Sequence, residues 1–310
     1  MKNKKDWYYV KEKSAGEVRL MLSYFVYKIF GKIALNIIAF FVSFFTFVFS
    51  SDVRMFSKNN LKVIYEYSNK KTPKPNFINS YKNVLNYALS LADKIEAFRG
   101  KLSAEKFEFE DIKEKEIFFN DIKENKGIFL ITSHIGNSEI LRSFVSNPDS
   151  GFKSPKVNVF MKKDQCRIFN SFLNKIKLKT SDIEIYDTDD ISVDDAINID
   201  EKMNKGEIVI MAGDRISNEQ KKSKIIFLNK EIYLPSGVFE FARILDKTTY
   251  FISAVKKRGK YKIYLKKLIQ LESLDKKRKI EFMQKEYLSF LEKLILIAPE
   301  QFYHFYDFFN

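Results

Sequence analysis

A series of short apolar runs, rich in β-branched residues, recurs along the second half of the chain. They read GIFLITS at 127–133, KVNVFM at 156–161, IEIYD at 183–187 and EIVIMAG at 207–213. Later come KIIFL at 224–228, TTYFISAV at 248–255 and YKIYL at 261–265. Between them lie stretches of helical periodicity at 137–147, 164–178, 192–205 and 235–246, with a long one near 274–297. A strand that must rejoin a parallel neighbour needs a crossover, and a helix is the usual one. The pattern therefore predicts an α/β fold, a mostly parallel central sheet flanked by helices. No internal repeat and no glycine-rich phosphate loop interrupts it.

Upstream the constraint is different. Ile33–Ser51 is a run of 19 uncharged residues, IALNIIAFFVSFFTFVFSS, bracketed by Lys32 and Asp52. As a helix it would be about 28 Å long, just enough to cross a bilayer core. Before it, Leu20, Met21, Tyr24, Phe25, Ile29 and Phe30 recur at helical spacing and suggest an amphipathic approach helix. The run is too long and too far from the terminus for a cleaved signal sequence. Lysines precede it (Lys2, Lys4, Lys5, Lys28, Lys32) and basic residues follow it (Arg54, Lys58, Lys62), so flanking charge does not choose an orientation. Embedment from one side, with both ends on the same face, satisfies both flanks. A buried core helix is the plainer reading. The organisation expected is a membrane-associating helical segment at 1–52 and an α/β domain at 53–310. Residues 53–124 form its helical lead-in, broken by TPKPN at 72–76.

The 310 residues carry 54 Lys and Arg against 40 Asp and Glu, a net charge of +14. Such a chain partners with nucleic acid, an anionic membrane or an acidic protein. No helix-turn-helix, zinc or RNA-binding signature is present, so nucleic acid is not the expected partner. The basic runs KKSK (221–224), KKRGK (256–260) and KKRK (276–279) would draw anionic lipid or an acidic carrier if they clustered. Cys166 is the only cysteine, which excludes an internal disulfide and a cysteine zinc site. Any histidine chemistry must use His134 or His304.

The densest local signal is ITSHIGNSEILRSF at 131–144. An apolar strand ends at Ser133, a Gly136-Asn137 turn follows, and a helical pattern begins. His134 then sits at the carboxyl end of a parallel strand, where open α/β sheets place their sites. Glu139 lies five residues on, and the turn lets the chain fold back towards it. A carboxylate beside an imidazole fixes its tautomer and stabilises the imidazolium, which equips the ring as a general base. A histidine beside a turn is also often an ordinary surface residue.

H-I-G-N-S-E resembles the H-x-x-x-x-[D/E] signature of the lysophospholipid acyltransferase superfamily. It is most similar to the lipid A biosynthesis (lauroyl/myristoyl) acyltransferase branch, where the block commonly reads H-x-G-N-W-E; Ser138 stands in the tryptophan place. Four further segments resemble that branch in the same order. They are Trp7 to Gly16 with the apolar stretch after it, CRIFNSFLNKI (166–176), MAGDRIS (211–217) with FLNKEIYLPSGVFEFAR (227–243), and PEQFYHFYDFF (299–309).

The resemblance implies an O-acyltransferase on the cytoplasmic face of a bacterial inner membrane. It would move a fatty acyl chain from acyl carrier protein to a hydroxyl of a glycolipid or lipid A-like acceptor. His134 would be the base and Glu139 its support. Gly136 and Asn137 would face the substrate, with Asn137 or backbone N–H groups at the start of the following helix helping to hold the oxyanion. Asp214 and Arg215 would line the same cleft, Arg215 gripping an anionic group unless it pairs structurally with Asp214 or another carboxylate. Pro235 and Gly237 read as a turn opening a helix, and His304 as packing or an interfacial contact. No metal and no cofactor beyond the carrier thioester is implied. The related glycerophospholipid acyltransferases, using acyl-CoA or acyl carrier protein, usually carry Asn before the His and a phenylalanine-proline-glutamate-glycine block. Here Ser133 and Leu234-Pro235-Ser236-Gly237 stand instead. A non-catalytic membrane adaptor is a third reading.

Overall fold

The computed structural model describes residues 17–98, 102–138, 140–141, 155–162, 167–168, 171–172, 175, 183–188, 191–216, 222–269 and 274–309. Most of the helical stretches expected at 137–147 and 164–178 lie outside these residues, as does Cys166. The central sheet has the strands β1 (Phe107–Phe109), β2 (Ile128–Thr132), β3 (Val157–Met161), β4 (Ile183–Asp187), β5 (Ile208–Ala212), β8 (Thr248–Lys257) and β9 (Lys260–Lys267). Their order is β1-β9-β8-β2-β5-β3-β4. From β8 to β4 every neighbouring pair is parallel. The two central strands, IFLIT and IVIMA, are covered on both faces, which is why they read as unbroken apolar runs.

Two of the expected strands join differently. YKIYL becomes β9, antiparallel to β8, because Arg258 (φ 50°) and Gly259 (φ 82°) close a two-residue hairpin. KIIFL belongs to β6 (Lys222–Phe227), which among the described residues pairs with β7 (Lys230–Pro235) in a separate antiparallel ribbon. The lead-in holds α2 (Ser51–Tyr67), α3 (Phe77–Phe98) and α4 (Ile112–Lys123), and it also supplies β1, the edge strand beside β9. Three residues are too few to show a period, so the sequence did not reveal that strand. On one face of the sheet α5 (Val193–Met203), α6 (Gly237–Leu245) and α7 (Lys276–Ile297) pack into the larger apolar core.

The apolar N-terminal stretch is α1, Glu17–Phe49, a 33-residue helix broken at Gly31 (φ 75°, ψ −172°). Its part from Leu20 to Phe49 is long and apolar enough to cross a membrane. It does not stand away from the domain. Lys32 meets Asp93 at 2.7 Å and also Glu96, Tyr81 lies among the rings of Phe40, Phe44 and Phe47, and Phe47 packs on Phe77 at 5.0 Å. As numbering rises along α1 it falls along α3, so the two helices run antiparallel. The other face of α1 is apolar and open, with Ile37, Phe41, Phe45 and Phe49 all exposed.

Candidate active site

The parallel register of β2 and β5 builds the site. Thr132 lies opposite Ala212, and the amide of Gly213 donates to the Thr132 carbonyl at 3.0 Å. His134 and Asp214 each follow their strand's last residue by two, so the register carries them side by side. The Asp214 carboxylate is fully buried. Its Oδ1 is 2.7 Å from His134 Nδ1, and its Oδ2 accepts from the His134 backbone amide at 2.6 Å.

The C-terminal tail closes the other side. Phe302 bridges to Ile135 in an antiparallel pair. Tyr303 donates to the His134 carbonyl at 3.0 Å, and Gly136 donates to Gln301 at 3.0 Å. Gln301 is itself tied to β8 through both Lys256 backbone groups. This pairing brings His304 Nε2 to 3.1 Å from Asp214 Oδ2, while its Nδ1 meets the Tyr306 hydroxyl. The Tyr306 hydroxyl also hydrogen-bonds the Arg215 guanidinium, whose Nη2 donates to the Tyr303 carbonyl at 2.9 Å.

Electrostatics orders these contacts. Burial alone would raise the Asp214 carboxyl, but the neighbouring His134 and His304 outweigh it and hold the group well below the usual carboxylate range. An ionised carboxylate only accepts, so His134 must present Nδ1–H to it. In the neutral imidazole that leaves the lone pair on Nε2, on a side chain that is 28 % exposed where Asp214 is not exposed at all. Burial pushes the His304 imidazole down to about 4 against the pull of Asp214, so it is neutral near pH 7. It donates from Nε2 to Asp214 and accepts at Nδ1 from Tyr306, which in turn accepts from Arg215.

A stability prediction follows from His304. Unfolded, its imidazole takes up a proton near 6.5; folded, only near 4. Between these values the unfolded chain binds more protons, so stability is full above about 6.5 and declines as pH falls towards 4. Urea midpoints measured across that window should drop for the wild type, and the slope should flatten in His304→Gln. An equal slope in both proteins would assign acid sensitivity to other groups.

The donor atoms of His134, Asp214 and His304 lie within 4.8 Å of one another, close enough to hold a metal ion. Here each ring presents one nitrogen to an Asp214 oxygen. The arrangement is that of a hydrogen-bonded His-Asp-His set.

Several sequence expectations need correction. The carboxylate found on His134 Nδ1 is Asp214, and Glu139, the partner expected from the sequence, lies outside the described residues. Gly136 and Asn137 brace the loop instead of offering oxyanion donors. The Gly136 amide is bonded to Gln301, the Asn137 amide to Ala254 at 2.8 Å, and the buried Asn137 side chain to Ser90 at 2.9 Å. Asp214 is wholly buried beneath His134. Arg215 is half-buried and grips Tyr303 and Tyr306. His304 does pack, against Phe302 and Phe308 at 4.4 and 4.6 Å, but sequence reasoning missed its bond to Asp214. The available signal was a polar ring inside an aromatic tail.

Two of the basic runs lie at opposite edges of the sheet. KKRGK turns between β8 and β9 at the carboxyl edge, with Lys256 bonded to Asp93 and Lys260 to Glu108. KKRK opens α7, where Lys279 lies near Thr249 and Leu268 at the opposite edge. Lys276, Lys277 and Arg278 there pair with Glu240, Glu281 and Asp275.

Fold and site together define an α/β protein with an apolar N-terminal helix and a histidine poised on a buried carboxylate. No known family's model matches the chain, and no curated protein matches it.

Proposed function

We propose that the protein is a membrane-associated O-acyltransferase with His134 as its general base. One observation carries the reading: His134 is locked through Nδ1 on an ionised, buried carboxylate while Nε2 faces outward. Nε2 removes the proton from an acceptor hydroxyl, and the oxygen attacks the carbonyl of an acyl thioester. The tetrahedral intermediate collapses, the carbon–sulfur bond breaks, and the leaving thiolate takes the proton back from Nε2. Asp214 stabilises the imidazolium between these steps. The sequence resemblance supplies the substrate classes, acyl carrier protein as donor and a glycolipid or lipid A-like acceptor. It also supplies the cytoplasmic face of a bacterial inner membrane as the setting.

The course of α1 supports a lipid substrate. Near its start, Leu20, Met21 and Tyr24 pack against Phe172, which also meets Met161 of β3 and Ile185 of β4. Lys32 reaches Asp93, which holds Lys256 and Tyr261 where β8 ends and β9 begins. From residue 21 to 32 a helix advances about 16 Å, and from β3 to β8 are three strand spacings, about 14 Å. The apolar helix thus runs from the β3–β4 side of the sheet to the β8–β9 side, the direction in which β5 and β2 lie between them.

Transfer of labelled acyl chains from acyl carrier protein to lipid acceptors by detergent-purified protein tests the activity. His134→Ala should lower the rate by about a hundred- to ten-thousand-fold, and Glu139→Ala should leave residual activity if Glu139 only supports the base. A folded His134→Ala protein with near-normal transfer would refute the mechanism. An adaptor without activity would transfer nothing in the wild type.

Because α1 lies along α3, one-sided embedment is the membrane mode proposed. In a Cys166→Ser background, Val18→Cys and Lys58→Cys occupy exposed positions flanking the apolar stretch. Both should react with an impermeant maleimide from the same side of sealed vesicles. Labelling from opposite sides would establish a single pass.

A further inference from the structure

We propose that His304 and Tyr306 are positioning residues for His134, acting through Asp214; the inference rests on His134 being the base. Aromatic packing does not explain a histidine at this place. Phe302, Phe308 and Tyr306 surround the ring, and a phenylalanine would fill the space with no desolvation cost. Instead the position holds an imidazole, 1 % exposed, with both nitrogens bonded.

The directions of these bonds carry the argument. Asp214 Oδ2 receives two donors, the His134 amide and His304 Nε2, and Oδ1 is left to His134 Nδ1. The second imidazole therefore stops the carboxylate from rotating about its Cβ–Cγ bond and keeps Oδ1 aimed at the base. His304 can donate from Nε2 only if Nδ1 is its bare nitrogen. The Tyr306 hydroxyl secures that by donating to Nδ1, and its own oxygen is turned the right way by the Arg215 guanidinium. A single sequence of donors and acceptors thus runs from Arg215 through Tyr306, His304 and Asp214 to the tautomer of His134. Every member is buried or half-buried, where an unsatisfied group is costly and the directions are correspondingly rigid.

The chain contains two histidines, so replacing His304 leaves His134 as the only imidazole in a nitrogen-15 spectrum. Three variants separate positioning from packing. His304→Phe fills the tail without a donor, His304→Gln restores an N–H near the Nε2 position, and Tyr306→Phe removes the hydroxyl. Long-range proton–nitrogen spectra at neutral pH should show His134 as the Nδ1–H tautomer in the wild type, and a tautomer mixture in His304→Phe. Orienting partners one shell removed from a reacting group typically matter by about ten- to a hundred-fold. kcat in His304→Phe should fall by about that factor with KM unchanged, and His304→Gln should recover most of the loss. Tyr306→Phe should shift the tautomer in the same direction, by less. Wild-type tautomer and kcat in His304→Phe would make His304 packing only and overturn the proposal. Should that variant fail to fold, the same result in Tyr306→Phe would overturn it. If the wild type transfers no acyl group, the activity reading fails, while the His134 tautomer still decides the positioning role.

Discussion

Asp214→Asn is expected to lower acyl transfer by about a thousand- to ten-thousand-fold while leaving KM nearly unchanged. The substitution is isosteric, and the residue is wholly buried, so no substrate contact is lost. What changes is the polarity of the hydrogen bonds. The carboxylate accepts from the His134 amide, His134 Nδ1 and His304 Nε2. An asparagine must present its NH2 to one imidazole. Facing His134, it donates to Nδ1, and the ring proton moves to Nε2, the position from which the base has to act. Facing His304 and the His134 amide, it sets donor against donor. Either way the outward nitrogen is no longer reliably basic, and the imidazolium loses its counter-charge. Residues that act as a unit are not additive, so His134→Ala with Asp214→Asn should be no slower than His134→Ala alone. Melting temperatures on the same preparations separate the effect from unfolding. A kcat within a few-fold of wild type in folded Asp214→Asn would remove Asp214 from the mechanism.

The second large effect is expected at Gly136, and it is one of folding. Gly136 has φ +70°, and a Cβ there would lie 2.1 Å from the backbone oxygen of Ala254 in β8. A central strand cannot yield by the ångström or more required. Gly136→Ala must therefore lift the His134 loop away from β8. That lift breaks the Gly136–Gln301 and Asn137–Ala254 hydrogen bonds as well as straining the left-handed backbone. With about 1–2 kcal/mol for the backbone and about 1 kcal/mol for each bond, the loss is on the order of 4 kcal/mol. Gly259 is the control. It has φ +82° in the β8–β9 turn with nothing near its missing Cβ, so Gly259→Ala should cost only the backbone component, about 1–2 kcal/mol. Urea unfolding of the two variants measures the difference. Equal losses would mean that the His134 loop is not pressed against β8.

The parallel sheet was legible in the sequence because strands buried on both faces cannot alternate. IFLIT and IVIMA stand out as unbroken apolar runs between helical stretches. The same property hid their partners, since an apolar run states that it is covered but not by what. YKIYL and KIIFL looked like further members of the sheet. The hairpin turn at Arg258-Gly259 reverses the first, and the second pairs with β7. The long apolar N-terminal helix was equally plain, from composition and length. That it lies along α3 depends on Lys32 finding Asp93 and Glu96, more than sixty positions away.

His134 was identifiable because a polar residue directly after a buried strand marks the sheet's carboxyl edge. Its contact with Asp214 was not, because the two lie 80 positions apart. The contact with Asp214 is made by the register that sets Thr132 opposite Ala212. His304 comes in through the tail pairing at Ile135 and Phe302, 90 positions from Asp214. The sequence by itself determined which segments are apolar, where strands end, and that only two imidazoles exist. Those are properties of composition and local period. The tertiary structure alone decided that both imidazoles share one buried carboxylate. Charge pairing and tautomer depend on distances of about 3 Å, and such distances are set by strand register and tail docking, which no local pattern encodes.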